Sequence, residues 1–147
     1  MTMTRPVSTW PATLHHRDDR VMTNTIPDPA LLPALFEQHL NAGDVDGVLA
    51  LFAPDATMRT TAGTVITGPD ALRAEITGTV AARGRLTNVQ RHTLVGADTA
   101  LLVPDWTMEI DTPDGTRIAP TGSTANVARR IGSGEWRFAV LNPLGTA

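Results

Sequence analysis

The chain has 147 residues, the length of one ordinary domain with a single core. Its 41% hydrophobic content is typical of a globular chain, and no apolar run is long enough to span a bilayer. Its formal charge of −3 provides no positive field for binding nucleic acid. The absence of cysteine excludes disulfides, thiolate catalysis and thiolate metal sites.

The first stretch, MTMTRPVSTWPATLHHRDDRVMTNT, mixes Pro, Thr, Arg and Asp without periodicity. It lacks the apolar centre of a signal peptide, so we predict a flexible extension over residues 1–27 and one domain over residues 28–147. The natural start is either Met1 or Met22. His15 and His16 have no further ligand at a useful spacing, so we interpret them as a solvated pair.

The segment IPDPALLPALFEQHLNAG predicts the first helix. Asp28 is a plausible N-cap, Pro29 suits the first turn, and Gly43 ends the helix. One helical face is apolar apart from a single histidine and consists of Leu32, Leu35, Phe36, His39 and Leu40.

Two further helices and a hairpin follow. Asp44 is placed to cap a short helix, VDGVLALF, which Pro54 ends. ATMRTTAGTVITG is rich in threonine and β-branched residues around an Ala-Gly turn, which predicts a hairpin. GPDALRAEITGTVAARG predicts a third helix, in which Leu72, Ile76 and Val80 form a stripe at i, i+4 spacing.

The remainder favours four strands, RLTNVQRHTLV, TALLVPDWTMEI, IAPTGSTANVARRI and EWRFAVLN, separated by Gly-, Pro- and Asp-containing turns. Three helices followed by an antiparallel meander indicate an α+β domain in which the helices cover one face of a curved sheet.

The segments AGDVDGVLALFAPDATM, GTVITGPDALRAEI and ANVARRIGSGEWRFAVLNPLGTA resemble the SnoaL-like branch of the nuclear-transport-factor-2-like (NTF2-like) superfamily. The resemblance covers residues 31–147. It implies a cone of three N-terminal helices wrapped by a strongly curved, mostly antiparallel sheet around an apolar cavity. It also implies a homodimer through the outer sheet faces, with Trp106 and Trp136 in the interface. Members include isomerases, hydrolases, cyclases and non-enzymes, so the fold does not choose the function.

Residues carried over from ketosteroid isomerases argue against that reaction here. The place of the tyrosine oxyanion donor looks like Phe36, and the place of the aspartate base looks like Thr60. The second oxyanion donor corresponds to Asn126, which can still donate a hydrogen bond. In the closing WRFAVLNPLG, Leu141 stands where relatives place an acid. Because removing a general base typically costs a factor of about 10² to 10⁴, steroid isomerisation by that mechanism is excluded.

LLVPDWTMEID leaves two orientations open. Periodicity alone sends Leu102, Trp106, Met108 and Ile110 to the core and the acids to water. The family spacing instead turns Val103, Asp105 and Thr107 into the cavity, where a bulge at Pro104 would re-aim Asp105 and desolvation would raise its pKa.

Two hypotheses for the function follow. In the first, the cavity binds a small apolar molecule and acts as an isomerase, cyclase or hydrolase, with Asp105 and His39 as acid and base. In the second, it is a non-catalytic ligand-binding or dimerisation module with an inert cavity. Both expect a cytoplasmic homodimer without metal or cofactor. The expected ligand contacts are Phe36, Met58, Thr60, Val103, Thr107, Asn126 and Leu141.

Overall fold

A computed structural model describes residues 25–132 and 134–147, and the N-terminal segment with His15 and His16 lies outside the described residues. The elements in chain order are a 3₁₀ turn (Pro29–Leu31), α1 (Leu32–Asn41), α2 (Val45–Leu49), β1 (Phe52–Arg59), β2 (Val65–Thr67), α3 (Pro69–Ala81), β3 (Arg85–Val95), β4 (Thr99–Asp111), β5 (Arg117–Ile118), β6 (Thr121–Ser123), β7 (Asn126–Ile131) and β8 (Glu135–Leu141). The predicted α+β class is therefore confirmed.

Local signals place the helices where the sequence predicts them. The Asp28 side chain accepts a hydrogen bond from the backbone of Ala30 at 2.9 Å, and the chain enters α1 through the 3₁₀ turn. Asp44 accepts one from the backbone of Gly47 at 2.9 Å and caps α2. Gly43 separates α1 from α2 with φ +72°, a left-handed conformation that glycine adopts without steric cost.

The sheet runs in the order β2-β1-β8-β7-β4-β3, with β5 and β6 paired to β4. All pairs are antiparallel except β1 with β8, so the sheet is mixed but mostly antiparallel. Leu32 and Leu40 from α1 and Leu72 and Ile76 from α3 are almost fully buried. They share one hydrophobic cluster with the sheet residue Leu102, so the helices cover one face of the sheet.

The second helix is shorter than predicted. It ends at Leu49, and Phe52 already belongs to β1, where it pairs with Phe138 of β8. Pro54 therefore lies inside a strand instead of ending a helix. The β1–β8 register is irregular between Phe52 and Thr57, the stretch in which Pro54 lacks a backbone donor. Burial of Phe52 as a strand residue overrides the helical spacing of VDGVLALF.

The predicted strand IAPTGSTANVARRI is three strands in the structure. β5, β6 and β7 occupy its length, and Pro120 interrupts it between the first two. β6 lies beside Asp105, Trp106 and Thr107 of β4, while β7 pairs with β4 further back, at residues 99–102. The break turns one long strand into short pieces that follow β4 around its curve.

The domain begins earlier than the predicted boundary at residue 28. Ile26 is only 3% exposed and belongs to the core, and its carbonyl accepts a hydrogen bond from the Trp136 backbone at 2.9 Å. The end of the predicted 1–27 extension is thus part of the packed structure, because an apolar side chain follows Thr25 and gains from burial against β8.

Candidate functional site

A cavity of about 290 Å³ lies between the helices and the sheet. Its wall is almost entirely apolar, with threonines, two asparagines and one carboxylate among the lining residues. The lining consists of Pro33, Phe36, Leu40, Met58, Thr61, Glu75, Ile76, Thr79, Leu86, Asn88, Pro104, Trp106, Met108, Ile110, Ile118, Pro120, Thr124, Asn126, Phe138, Leu141 and Pro143.

Strand β4 supplies one long wall of the cavity. Pro104, Trp106, Met108 and Ile110 alternate along it and all face inward. The strand ends at the mouth of the cavity, where Ile110 pairs with Ile118, and Ile118 is 45% exposed. β4 therefore runs the length of the cavity from a buried floor to an open mouth.

Trp106 is the largest side chain in the wall. Its indole Nε1 donates a hydrogen bond to the carbonyl of Pro143 at 2.7 Å, which fixes the plane of the ring. The ring also packs on Gly122 of β6, where an added Cβ would lie 2.8 Å from Cζ2. A glycine at this position is what allows β6 to pass so close to the indole.

Two buried polar side chains lie at the floor. Thr124 and Asn126 are only 7% and 4% exposed. The Asn126 Oδ1 accepts from the Asn142 backbone at 2.8 Å, which leaves its Nδ2 without a partner among the described residues. The Thr124 hydroxyl is buried and has no partner in the same part of the chain. Both side chains are therefore available to hydrogen-bond an oxygen atom of a bound molecule.

The ligand contacts expected from the sequence divide into two groups. Phe36, Met58, Asn126 and Leu141 line the cavity, whereas Thr60, Val103 and Thr107 do not. The Thr60 backbone and hydroxyl instead bond the backbone of Thr64 and close the β1–β2 turn.

Asp105 lies on the outer face of β4, and the prediction that it points into the cavity is wrong. The expected bulge at Pro104 is absent, and the register shift falls in β3, between Gln90 and His92. The alternation of β4 is thus unbroken, and Asp105 faces outward together with Val103 and Thr107. It accepts hydrogen bonds from Ser123 Oγ at 2.6 Å and from Arg91 Nη1 at 2.8 Å.

The electrostatics of Asp105 follow from this outward position. The hydrogen bond from Ser123 and then the positive charge of Arg91 lower the pKa of the Asp105 carboxyl below its ordinary value. Partial burial does raise the pKa of this carboxyl, but the hydrogen bond from Ser123 and the charge of Arg91 outweigh it, so the expected net upward shift does not occur.

His39 also lies outside the cavity lining. Its Nδ1 is 3.1 Å from Asp44 Oδ2, and the side chain is 30% exposed. The helical turn that brings Phe36 and Leu40 to the cavity carries His39 towards the start of α2. The histidine and Asp105 are not brought together at the cavity.

Trp106 and Trp136 are buried within the chain, and the prediction that they form a dimer interface is wrong. Trp106 lines the cavity, and Trp136 is 1% exposed. The guanidinium of Arg130 lies 5.0 Å from the centroid of the Trp136 ring and helps to cover it.

Replacement of Asp105 by asparagine is expected to leave ligand affinity unchanged and to alter the acid dependence of stability. A carboxyl whose pKa is lowered in the folded state stabilises the fold above its unfolded pKa of about 3.9. That contribution disappears as the pH falls through the folded pKa. Urea unfolding should show a stability difference between wild type and Asp105→Asn at neutral pH that shrinks in acid, and a loss of ligand affinity would contradict the outward placement.

Sequence reasoning missed several cavity residues, notably Glu75, Trp106, Thr124 and Phe138. For Glu75 a signal was present, because it stands at i+3 from Leu72, on the flank of the predicted apolar stripe. For Trp106, the alternation along the strand was by itself sufficient to predict an inward-facing side chain, without the family spacing.

Residues 25–132 and 134–147 contain no group of three or more His, Asp or Glu side chains that could hold a metal ion. Over the same residues, no helix is long and apolar enough to cross a bilayer. The cavity lining itself offers one carboxylate and no histidine.

Comparison with known proteins identifies the type of domain. The family model described as a SnoaL-like domain matches residues 33–138. A search of curated proteins finds no significant match. Among solved structures, a protein of unknown function from Mycobacterium tuberculosis is 25% identical, with a TM-score of 0.65 over 75% of this chain and 69% of the other.

Two further solved structures share the fold at lower identity. A protein of the NTF2-like family from Streptomyces avermitilis, proposed to be a dehydratase, is 17% identical with a TM-score of 0.66 over 80% of this chain and 93% of its own. A protein from Novosphingobium aromaticivorans, proposed to be an aromatic ring hydroxylase, is 20% identical with a TM-score of 0.68 over 79% and 85%.

Proposed function

The chain belongs to the SnoaL-like domain family, with an NTF2-like fold, and from this premise we propose that its cavity binds a compact, mainly apolar molecule that carries one oxygen acceptor. Because this fold serves many functions, a function has to be inferred from the residues of the cavity. The observation that carries the proposal is an apolar cavity in which the buried Thr124 hydroxyl has no partner among the described residues. The Asn126 amide nitrogen beside it makes no hydrogen bond within the same residues.

The wall composition supports an apolar ligand. Ligand pockets are mainly hydrophobic, with a few polar groups that fix orientation. Here Phe36, Trp106, Phe138 and Leu141 provide aromatic and aliphatic surface around about 290 Å³ of space. A volume of this size suits a molecule of one or two fused rings.

The floor supports a carbonyl or ether oxygen on that ligand. A buried hydroxyl without a partner costs about 1–3 kcal/mol, which a hydrogen bond to a ligand would relieve. Thr124 carries such a hydroxyl, and the Asn126 amide nitrogen is the second donor at the floor. The hydroxyl can donate or accept and the amide nitrogen can only donate, so an acceptor oxygen is the ligand group that either can bond.

The positions of Asp105 and His39 support ligand binding and argue against acid–base catalysis by these two residues. An isomerase, cyclase or hydrolase mechanism with Asp105 and His39 requires both groups within hydrogen-bond reach of the substrate. Both lie outside the cavity lining. We therefore assign ligand binding to the cavity and no acid–base role to these two side chains.

Thr124→Val tests the role of the floor. Valine matches the shape of threonine, so the variant removes the hydroxyl without opening a hole, and its stability should match or exceed that of wild type. Calorimetric titration should show that affinity for tetralone falls about fivefold or more. Affinity for tetralin, which has the same rings without the oxygen, should change little.

Thr121→Val is the matched control, because Thr121 is exposed on β6 and does not line the cavity. It should leave both affinities unchanged. If wild type bound neither tetralone nor tetralin, the proposed function would be wrong. If Thr124→Val weakened both ligands equally, the oxygen subsite would be rejected.

We further propose that a second copy of this chain covers the outer face of the sheet. Leu94, Leu101, Val127 and Val140 are direct register neighbours across β3, β4, β7 and β8. They form an outer apolar row in which Leu94 is 60% and Leu101 36% exposed. A contiguous exposed apolar row marks an interface, and a two-fold axis would pack the row against itself.

Leu101→Glu should convert the dimer to monomer, because it places one carboxylate from each copy at the centre of the outer apolar row. Sedimentation velocity at micromolar concentration measures the change. Val65→Glu is the control, since Val65 is 65% exposed and lies outside the row. A wild type that is monomeric, or a Leu101→Glu variant that remains dimeric, would contradict this interface.

A further inference from the structure

Glu75 is the one ionisable side chain in the cavity lining of the described residues. It is partly buried on α3, immediately before the fully packed Ile76. Its carboxylate has no hydrogen-bond or ion-pair partner in the described part of the chain. Arg73, the nearest arginine along the helix, is already paired with Asp46 at 2.7 Å.

The polar floor and the end of α3 border different parts of β4. Thr124 bonds the carbonyl of Pro104 at 3.0 Å, so the floor lies beside that residue. The end of α3 lies further along, because the Asp111 backbone bonds the carbonyl of Ala82 at 2.9 Å. Pro104 and Asp111 are about 20 Å apart along an extended strand.

The position of Glu75 along α3 follows from Thr79. Thr79 and the sulfur of Met108 both approach Gly84 closely enough to contact an added Cβ there. Glu75 lies about 6 Å along the helix axis before Thr79. The carboxylate therefore lines the cavity on the α3 side, one helical turn before Thr79.

An unpaired carboxylate in an apolar wall discriminates between ligands. A neutral molecule that covers Glu75 removes water from the carboxylate and offers no charged or polar group to replace it. An anionic molecule adds repulsion. A molecule with a protonated amine at that end replaces the lost water by a charge-assisted hydrogen bond.

We propose that Glu75 makes the cavity selective for ligands whose apolar body carries an ammonium group, held by the Glu75 carboxylate in the α3 wall. This inference rests on the proposed binding function and adds the chemical class of the ligand. The preferred molecule thus combines an acceptor oxygen near Thr124 and Asn126 with a cationic amine near Glu75.

Three probes with one ring system test the charge preference, namely aminotetralin as its ammonium ion, tetralin, and tetralin carboxylate. Calorimetric titration of the full chain at neutral pH should show that aminotetralin binds about tenfold more tightly than tetralin, with the carboxylate weakest. Added salt should reduce this preference, because the carboxylate is only partly buried.

Glu75→Gln should weaken aminotetralin about tenfold and leave tetralin within about twofold of wild type. Asp70→Asn is the matched control, since it removes the same charge from the same helix outside the cavity and should change neither affinity. Thermal melting of both variants establishes that they are folded.

The outcomes separate the two proposals. If tetralin binds but aminotetralin is not preferred, or if Glu75→Gln keeps the preference, the charge selectivity is wrong and the binding function stands. If Asp70→Asn abolishes the preference as well, the effect belongs to net charge and the subsite is rejected. If no probe binds, both proposals fail.

Discussion

Phe138→Ala is expected to lower the free energy of unfolding by about 3–5 kcal/mol. Phe138 is 1% exposed and lies where β8 meets β1. Its ring makes an edge contact with Phe36 at 6.0 Å between centroids and a tilted contact with Phe52 at 5.4 Å. Removal of the ring deletes both contacts and leaves a hole, because the hydrogen-bonded strands around it cannot close in.

Urea unfolding, with the midpoint and slope both fitted, measures this loss. Phe138→Leu should lose much less stability, since most of the buried volume is kept. Val65→Ala, at an exposed site on the β1–β2 hairpin, should stay within about 0.5 kcal/mol of wild type. A loss below about 1 kcal/mol for Phe138→Ala would show that the three-ring cluster is not a main source of stability.

The helices could be predicted from the sequence because their signals are local. The Asp28 and Asp44 caps and the Leu72–Ile76 stripe depend on residues within two turns of one another. The misjudged end of α2 shows the limit. Phe52 belongs to a strand because it pairs with Phe138. Phe138 is distant in sequence, so helical spacing cannot predict this pairing.

The orientation of β4 could also be predicted, but only from its period. Alternation placed Trp106 inside and Asp105 outside, as the structure has them, whereas the family spacing reversed them. The expected bulge at Pro104 was the reason for the reversal. The irregularity lies at Arg91 on the neighbouring strand, and a single sequence does not show which of two paired strands carries a bulge.

The polar floor could not have been predicted in full. Asn126 was expected to contact a ligand, but Thr124 was not, because its burial depends on the break between β6 and β7. That break sets which residues of a long predicted strand reach the cavity. The pairing of β6 with β4 is a tertiary contact and leaves no local periodic signal.

Gly122→Ala is expected to reduce tetralin affinity about tenfold or more and to cost about 1–3 kcal/mol of stability. The added methyl group would lie 2.8–3.0 Å from three atoms of the Trp106 indole, too close for an undistorted contact. β6 is held to β4 on both sides of Gly122, so the backbone has little room to retreat. The ring must therefore move away from Gly122, which breaks its hydrogen bond to Pro143 and changes the shape of the cavity.

Calorimetric titration and urea unfolding measure the two effects of Gly122→Ala. Gly78→Ala is the control, because an added Cβ at Gly78 meets nothing within 4 Å and alanine favours the helix by about 1 kcal/mol. Combining Gly122→Ala with Trp106→Phe should recover part of the lost stability relative to the sum of the single variants, since the smaller ring leaves space for the methyl group.

Gly122 contacts a residue of the cavity wall and is not itself part of the lining. Gly122 does not line the cavity, so a loss of affinity in Gly122→Ala cannot come from a deleted ligand contact. It would have to act through Trp106, whose ring both contacts Gly122 and lines the cavity. Unchanged affinity together with unchanged stability would contradict the expectation that the contact with Gly122 holds the indole in place.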